Sequence, residues 1–343
     1  MDIRKVGVVG CGTMGSGICE VVARAGMPVA FVEVSGDRVE AGLRRIQRSL
    51  ERAVDRGKLS AQERDDMLGR IAGDTTYDVL ADADLVVEAV PERLEIKQET
   101  FRELDRVLGP DAIVATNTSS LAVIDIAVTT QRPNRVLGFH FFNPAPVMPL
   151  IELVTTVVTD PQVVADATAF AQRMGKTPVV AKDRAGFVAN LLLFPYLNQA
   201  VGMLEAGYAS REDIDAAMQL GAGHPMGPLA LMDLIGLDSA YSIMMRMFEQ
   251  FHDVRHAPRP LVRQLLSAGY QGRKSGRGFY RYVEPNSPAT VAGDGDGAAT
   301  APPDADVVAG WRTVGVVGTG TMAAGIAEVS AKAGFDVVVR GRT

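Results

Sequence analysis

The sequence predicts an α/β chain in which a doubly wound parallel sheet is followed by an all-helical domain. From Val6 to about Lys182, short apolar and β-branched runs alternate with helical patterns, as strands joined by crossover helices do. A glycine-rich turn separates the first of these runs from the first helical pattern. After Asp183 the texture changes to a helical region rich in Leu, Met and Ala that continues to about Arg281. The sheet domain is therefore expected over residues 1–183 and the helical domain over 184–283.

Val6-Gly7-Val8-Val9 is the first strand, followed by Gly10-Cys11-Gly12-Thr13-Met14-Gly15 and a helical pattern through Ala25. The three glycines permit a tight turn, close approach of the backbone to a pyrophosphate, and close helix–strand packing. At Thr13 and Met14 the helix amino terminus offers N–H donors and the positive end of its dipole. A second apolar strand, Val29 to Val32, ends at Glu33, where an acid accepts the adenosine ribose hydroxyls. Strand, glycines, helix, strand and terminal acid in one short unit specify a Rossmann-like dinucleotide site. Glu33 favours NAD over NADP, because a carboxylate repels a 2′-phosphate and no arginine follows immediately.

The next segment, Asp37 to Arg56, reads as a helix. Arg44, Arg48, Arg52 and Arg56 recur at every fourth residue and stack on one face, and Ser49, Arg52 and Arg56 also share a face. For Arg44 and Arg48 a solvated surface, balanced by Glu40, Glu51 and Asp55, is an open alternative. Two more strands, Asp84 to Val90 and Ala112 to Thr116, run into the polar turns Pro91-Glu92-Arg93 and Asn117-Thr118-Ser119-Ser120. Sheets of this kind bind ligands beyond the carboxyl ends of their strands, where both turns fall.

His140, in Gly138-Phe139-His140-Phe141-Phe142-Asn143-Pro144, is the only histidine before His224. A lone carboxylate, Glu152, interrupts the apolar run Leu150-Ile151-Glu152-Leu153-Val154. Both faces of that run are apolar, so the carboxylate is expected to be buried, which is costly without a polar partner. The proline-stiffened connection from Asn143 to Pro149 allows the two strands to lie side by side. A buried carboxylate beside an imidazole fixes its tautomer and supports its protonated form, making a general base. These residues alone suit a structural core histidine equally well; the dinucleotide unit shifts the balance toward catalysis.

Beyond the sheet domain, the methionines from Met203 to Met247 are expected in a core or a dimer interface, and Gly221 to Pro228 punctuates the helices. From Pro285 to Ala309 almost no large apolar residue occurs, so residues 284–311 read as a flexible linker. Arg312 to Met322 then repeats Arg4 to Met14, and the match continues through Gly325-Ile326, Ala333-Gly334 and Val337. Residues 312–343 are thus a truncated second Rossmann repeat, as in the front part of a longer tandem protein. Ala323 stands for Gly15 and Gly341 for Glu33, so this copy is expected to bind no dinucleotide and to be disordered or loosely docked.

Composition narrows the class. A net charge of −6 gives no basic field for nucleic acid, and no apolar stretch approaches the length of a bilayer span. Met1 to Lys5 runs straight into the first strand, leaving no room for a signal peptide. Cys11 and Cys19 read as reduced thiols of a cytoplasmic protein.

Taken in order, the glycine turn, Pro91-Glu92, Asn117-Thr118-Ser119-Ser120-Leu121, His140-Phe141-Phe142-Asn143-Pro144, Glu152 and Asn190 resemble the L-3-hydroxyacyl-CoA dehydrogenase family, nearest its bacterial 3-hydroxybutyryl-CoA branch. The resemblance runs from residue 3 to about 283 and includes Gly221 to Pro228 and Gly272-Arg273-Lys274-Ser275-Gly276-Arg277-Gly278-Phe279-Tyr280. It implies that His140 takes the 3-hydroxyl proton, Glu152 orients His140, and Ser119 and Asn190 hold the substrate oxygens. It further implies NAD contacts from Gly10, Gly12, Thr13, Met14, Gly15, Glu33, Glu92, Lys97, Asn117, Ser119, Asn143 and Lys274. Ser49 and Arg56 match CoA contacts, with Arg52 on their face, and a homodimer through the helical domain is implied too. The usual ribose acid of the family is aspartate; Glu33 is one methylene longer. A lysine-dependent β-hydroxyacid or imine reductase is the competing enzyme class, against which the His140–Glu152 pair argues. A non-catalytic NAD-binding relative is disfavoured by the intact set Ser119, His140, Glu152 and Asn190.

Overall fold

A computed structural model describes residues 1–291 and 310–341. The sheet domain runs β1 (Val6–Val9), α1 (Thr13–Arg24), β2 (Val29–Val32), α2 (Gly36–Asp55), α3 (Ala61–Leu68), β3 (Ile71–Asp74), β4 (Leu85–Glu88), α4 (Leu94–Val107), β5 (Ile113–Thr116) and α5 (Val123–Ala127). It continues through β6 (Val136–Phe141), β7 (Leu150–Thr155), α6 (Pro161–Arg173) and β8 (Thr177–Lys182). The strands form one eight-stranded sheet of order β3-β2-β1-β4-β5-β6-β7-β8. Chain direction across the sheet reverses between β1 and β4, and ligands bind such sheets at that switch point.

One part of the expected topology needs correction. The sheet is parallel only as far as β6; β7 runs antiparallel to β6, and β8 follows β7. The connection from Asn143 to Pro149 is too short for a crossover helix, so it returns the chain as a hairpin. That reversal sets His140 directly opposite Glu152 in the register.

Alternation along the central strands distributes the core over both faces. Val8, Phe31, Phe139 and Leu153 pack with Ile18, Ile46, Leu50 and Phe170 from α1, α2 and α6. On the other face Val9, Val86, Val114 and Val136 pack with Phe101, Leu104, Val123 and Ile126 from α4 and α5. A fully buried side chain of this size contributes about 1.5–3 kcal/mol. α2 begins where Ser35 caps it, its side chain accepting from the Arg38 N–H.

The helical domain comprises α7 (Ala189–Glu205), α8 (Arg211–Ala216), α9 (Pro228–Ile235), α10 (Leu237–Phe251) and α11 (Pro260–Ser267). Met232, Met244 and Met247 are fully buried among Phe194, Leu197, Val201, Leu229 and Val262, which is the core role expected of them. Two buried carboxylates hold its far end together. Asp215 accepts from the Leu229 and Ala230 N–H groups at the start of α9 and from the Tyr280 hydroxyl. Asp233 accepts from the Phe279 and Tyr280 N–H groups and the Tyr282 hydroxyl, and its burial pushes its pKa up to about 6.

Backbone hydrogen bonds tie residues past 283 to this domain. Residues 284–291 fold back on the turn after α11: Asn286 N–H donates to Arg273, Val283 N–H to Ala289, and Val291 N–H to Arg281. The rest of the expected linker, residues 292–309, lies outside the described residues.

The second repeat forms the expected partial Rossmann unit, and of the two states expected for it, disordered or loosely docked, disorder is not what is found. β9 (Thr313–Val317), α12 (Thr321–Lys332) and β10 (Asp336–Arg340) form a parallel two-stranded unit. Its local signals reproduce those of β1-α1-β2, but its faces stay open. Val317 and Val329 are 89% and 69% exposed, whereas their counterparts Val9 and Val21 are each 3% exposed. Among the described residues β9 pairs only with β10, while β1 pairs with both β2 and β4. A chain ending at Val291 should therefore keep the kcat and NADH affinity of the full chain. Titrating NADH into both chains checks this; a second binding event lost on truncation, or collapse of turnover, would contradict it.

Candidate active site

The glycine turn assigns a different constraint to each glycine. Gly10 has φ +86°, and a Cβ there would lie 2.9 Å from the Ala89 carbonyl oxygen. At Gly15 a Cβ would fall 1.8 Å from the Gly10 oxygen, so this position must be bare for α1 to close on the turn. Around Gly12 nothing lies within 4 Å of the Cβ position, leaving the backbone open to a ligand. α1 starts at Thr13 with its first N–H groups beside that space. Glu33 reaches back from the end of β2 to accept from the Cys11 N–H at 2.7 Å. The cradle, the helix amino terminus and the acid beside them fit a dinucleotide of the NAD type.

Beyond β4 and β5 a second polar cluster forms. One Glu92 oxygen accepts from the Thr118 hydroxyl at 2.5 Å and the Ser119 N–H at 3.0 Å, and also from the Ser120 N–H. Burial alone would raise the pKa of Glu92. The Lys97 ammonium and the Thr118 and Ser119 donors outweigh it and hold the carboxyl below its ordinary value. Lys97 is 1% exposed, its ammonium 2.7 Å from Glu88 and 3.2 Å from Glu92. Its charge is thus spent inside the domain, steadying Glu92, and is not displayed on the crevice surface. Lys274 lies in the helical domain, where its ammonium pairs with Asp238 at 2.5 Å.

The centre of the site is the β6–β7 hairpin. His140 Nδ1 lies 2.8 Å from Glu152 Oε2, with the imidazole side chain 7% and the glutamate side chain 1% exposed. The other oxygen, Oε1, accepts from the Val188 N–H at 3.0 Å and the Ala189 N–H at 2.8 Å, at the start of α7. Burial works against the charge of Glu152, but the His140 and Ala189 hydrogen bonds outweigh it, and the pKa is lowered. An ionised carboxylate only accepts, so His140 Nδ1 carries the proton and Nε2 is the basic nitrogen. The rings of Phe142 and Phe187 flank the imidazole at centroid distances of 4.7 and 5.5 Å.

The same contacts gather the remaining candidates. Asn190 follows Ala189 in the first turn of α7, so the Glu152 clamp fixes its position. Asn117 accepts from the Phe141 N–H at 2.8 Å, tying the turn that bears Ser119 to the strand end that bears His140. Asn143 is exposed at the head of the connection that follows. Lys176, which sequence reasoning missed, pins that connection from beneath: its buried ammonium donates to the Ala145 and Met148 carbonyls at 2.7 and 2.8 Å.

A cleft of about 220 Å³ lies between α1, α2 and residues 143–146. Ser49 and Arg52 line it, as does Arg45; Arg56 caps the helix outside the lining. Arg44 turns to Glu40 and Arg48 to the Arg44 carbonyl, so these two belong to the solvated face. Arg45 also escaped the sequence reading, although it precedes Ser49 by one helical turn and so shares its face.

The sequence also matches known proteins. The family model for the 3-hydroxyacyl-CoA dehydrogenase NAD binding domain matches residues 5–184 and again 313–343, and that for the C-terminal domain matches residues 186–282. A 3-hydroxybutyryl-CoA dehydrogenase of Mycobacterium tuberculosis is 51% identical over 282 residues, spanning 82% of this chain and 99% of that protein. A probable 3-hydroxybutyryl-CoA dehydrogenase of Bacillus subtilis is 44% identical over 287 residues, spanning 84% of this chain and all of that protein. The crystal structure of (S)-3-hydroxybutyryl-CoA dehydrogenase from Ralstonia eutropha superposes with a TM-score of 0.80 at 41% identity, covering 82% of this chain and 100% of that one. With the His140–Glu152 pair seated beside a dinucleotide cradle, these matches show that the chain belongs to the 3-hydroxyacyl-CoA dehydrogenase family.

Proposed function

We propose that this protein interconverts L-3-hydroxyacyl-CoA and 3-ketoacyl-CoA with NAD as hydride carrier, acting on short chains such as 3-hydroxybutyryl-CoA. The observation that carries this reading is the buried His140–Glu152 pair whose carboxylate also holds the start of α7. Gly10, Gly12, Thr13, Met14, Gly15 and Glu33 hold the adenosine and pyrophosphate portion of NAD. Glu92, Asn117, Ser119 and Asn143 stand at the strand ends for the rest; Lys97 acts through Glu92, and Lys274, paired with Asp238 in the helical domain, is assigned to the nucleotide by the family resemblance. These residues would hold NAD, whose nicotinamide would supply the hydride exchange with C3.

The residues of the chain handle the proton and the oxygens. His140 Nε2 takes the proton of the 3-hydroxyl group, and the imidazolium so formed is stabilised by Glu152 at 2.8 Å. In the reverse direction the same nitrogen returns it. The Ser119 hydroxyl and the Asn190 amide donate to the reacting oxygen and the thioester carbonyl, stabilising the charge that develops there. Ser49 and Arg52 line the cleft for the CoA nucleotide, and Arg56, the cap of the same helix, is assigned to the nucleotide by the family resemblance.

Exposed Leu192, Tyr208 and Leu220 in the helical domain support a homodimer through that domain. The free, buried cysteines Cys11 and Cys19 support a reducing, cytoplasmic setting. Among the described residues no single helix is long and apolar enough to cross a membrane.

The direct test is NADH oxidation with acetoacetyl-CoA. Turnover with the thioester and none with free acetoacetate is expected; the reverse pattern would refute the assignment. His140→Gln should bind NADH normally but lose kcat by roughly 10²–10⁴-fold, the usual share of general-base catalysis. Near-normal turnover at saturating substrate would remove His140 from the mechanism.

Glu152→Gln should also be slow, by at least about tenfold, because an amide NH₂ facing Nδ1 makes it an acceptor and moves the ring proton to Nε2, where the base is needed. Stability supplies a second readout. The folded-state pKa of Glu152 is lowered, so its carboxylate stabilises the fold above the ordinary carboxyl range and loses that contribution as pH falls through the folded value. In urea melts the wild type's advantage over Glu152→Gln should therefore shrink between neutral pH and about pH 3. A constant difference would show that the charge of Glu152 does not stabilise the fold.

A further inference from the structure

We infer that Arg45 couples the two ligand sites: its guanidinium binds a phosphate of the CoA nucleotide while it holds the glycine turn that carries the dinucleotide. The inference rests on the acyl-CoA reading above and adds a residue and a linkage to it.

Arg45 lies on the face of α2 that lines the cleft, one turn before Ser49 and two before Arg52. Its Nη1 donates to the Cys11 carbonyl at 2.7 Å. Among the described residues it has no carboxylate partner, unlike its neighbours: Arg44 pairs with Glu40, and Arg24 engages Glu20, the acid in the cleft wall, at 2.8 Å. A guanidinium has five N–H donors in a planar fork shaped for phosphate, so one carbonyl leaves most of them unused. With Arg52 and the Ser49 hydroxyl alongside, the cleft offers two cations and a hydroxyl to a phosphate. The cleft extends along α1 from Thr13 to Glu20, past the open backbone of Gly12 that suits the dinucleotide. The phosphate is therefore assigned to CoA.

The linkage follows from Cys11, which sits between two glycines of the turn. Arg45 holds its carbonyl, and Glu33 holds its N–H at 2.7 Å. A phosphate that immobilises Arg45 fixes the peptide after Cys11, and ribose hydroxyls on Glu33 fix the peptide before it, so the two ligands order adjacent peptides of one turn. Each ligand thereby prepays part of the ordering that the other needs, which is positive and reciprocal coupling.

Isothermal titration of the full chain tests this with CoA, pantetheine and NADH, each alone and with saturating partner. In the wild type, CoA should tighten NADH binding about fivefold or more, and NADH should tighten CoA equally. Arg45→Ala should weaken CoA roughly tenfold, as loss of a charge-assisted contact does, leave pantetheine unchanged, and bring the coupling factor to about one. Arg45→Lys keeps a charge but not the fork. It should recover part of the CoA affinity without the coupling, and it provides the reading if the alanine variant is poorly folded.

Unchanged CoA affinity in both variants would overturn the inference, as would wild-type coupling surviving in Arg45→Ala. A loss confined to NADH would also overturn it, assigning the phosphate to the dinucleotide. A wild-type chain that binds no CoA would instead refute the acyl-CoA reading itself.

Discussion

The site depends on one buried carboxylate serving two domains. Glu152 gives one oxygen to His140 and the other to two backbone N–H groups at the start of α7. Leaving a carboxylate on a central strand without partners would be prohibitive, and breaking a buried pair of this kind costs about 3–5 kcal/mol. The imidazole is therefore oriented by a carboxylate whose second oxygen is satisfied only when the start of α7 is in place. The N–H groups of Val188 and Ala189 are themselves helix-terminal donors that need an acceptor. Catalytic geometry and domain docking thus become a single requirement. Asp183, the last residue of the sheet domain, accepts from the Val123 and Ile124 N–H groups at the start of α5 and so fixes the point where the chain leaves that domain.

The same device recurs along the carboxyl ends of the strands. Glu92 gathers the donors of the Thr118–Ser120 turn, and Lys97 bridges it to Glu88, which in turn accepts from the Thr116 hydroxyl. Asn117 binds the strand end beside His140, and Lys176 holds the connection between β6 and β7 by two carbonyls. Irregular backbone over a buried sheet has polar groups that must be satisfied. Satisfying them with charged side chains makes each loop conformation nearly unique. Rigidity at these positions is what a hydride transfer needs, since reacting groups must be held within a few tenths of an ångström.

Most of this was legible in the sequence wherever the determining signal was local. The β1-α1-β2 unit, its three glycine roles and the helical domain follow from spacing and residue type, because turns, strand periodicity and helix starts are short-range properties. The buried placement of Glu152 was legible too, since an acid within an apolar run admits few alternatives. The reversal at β7 was readable only as a possibility, because strand direction is set by the length of the connection, not by the strand. Lys97 and Arg45 show the other limit. A sequence gives a lysine its charge but not the two acids that absorb it. Likewise the arginine stripe on α2 could be phased in two ways. Only the contact with α1 shows that Arg45, Ser49 and Arg52 face the cleft while Arg44 and Arg48 face solvent.

The second repeat separates what a β-α-β unit encodes by itself from what its surroundings add. β9, α12 and β10 reproduce strand, turn, helix and strand, with Gly318 at φ +127° in place of Gly10. Where β1 lies between β2 and β4, β9 has β10 alone among the described residues, and the apolar positions that bury α1 stay open on α12. A dinucleotide crevice is made by two strands diverging at the switch point, and among the described residues β9 has no second strand on its other side to make one. Its acid is missing as well, Gly341 standing where Glu33 clamps the first copy. The fingerprint is thus a property of thirty-odd residues, whereas the site is a property of the sheet, and the first copy functions because β4, β5 and β6 each bring a polar turn to the same edge.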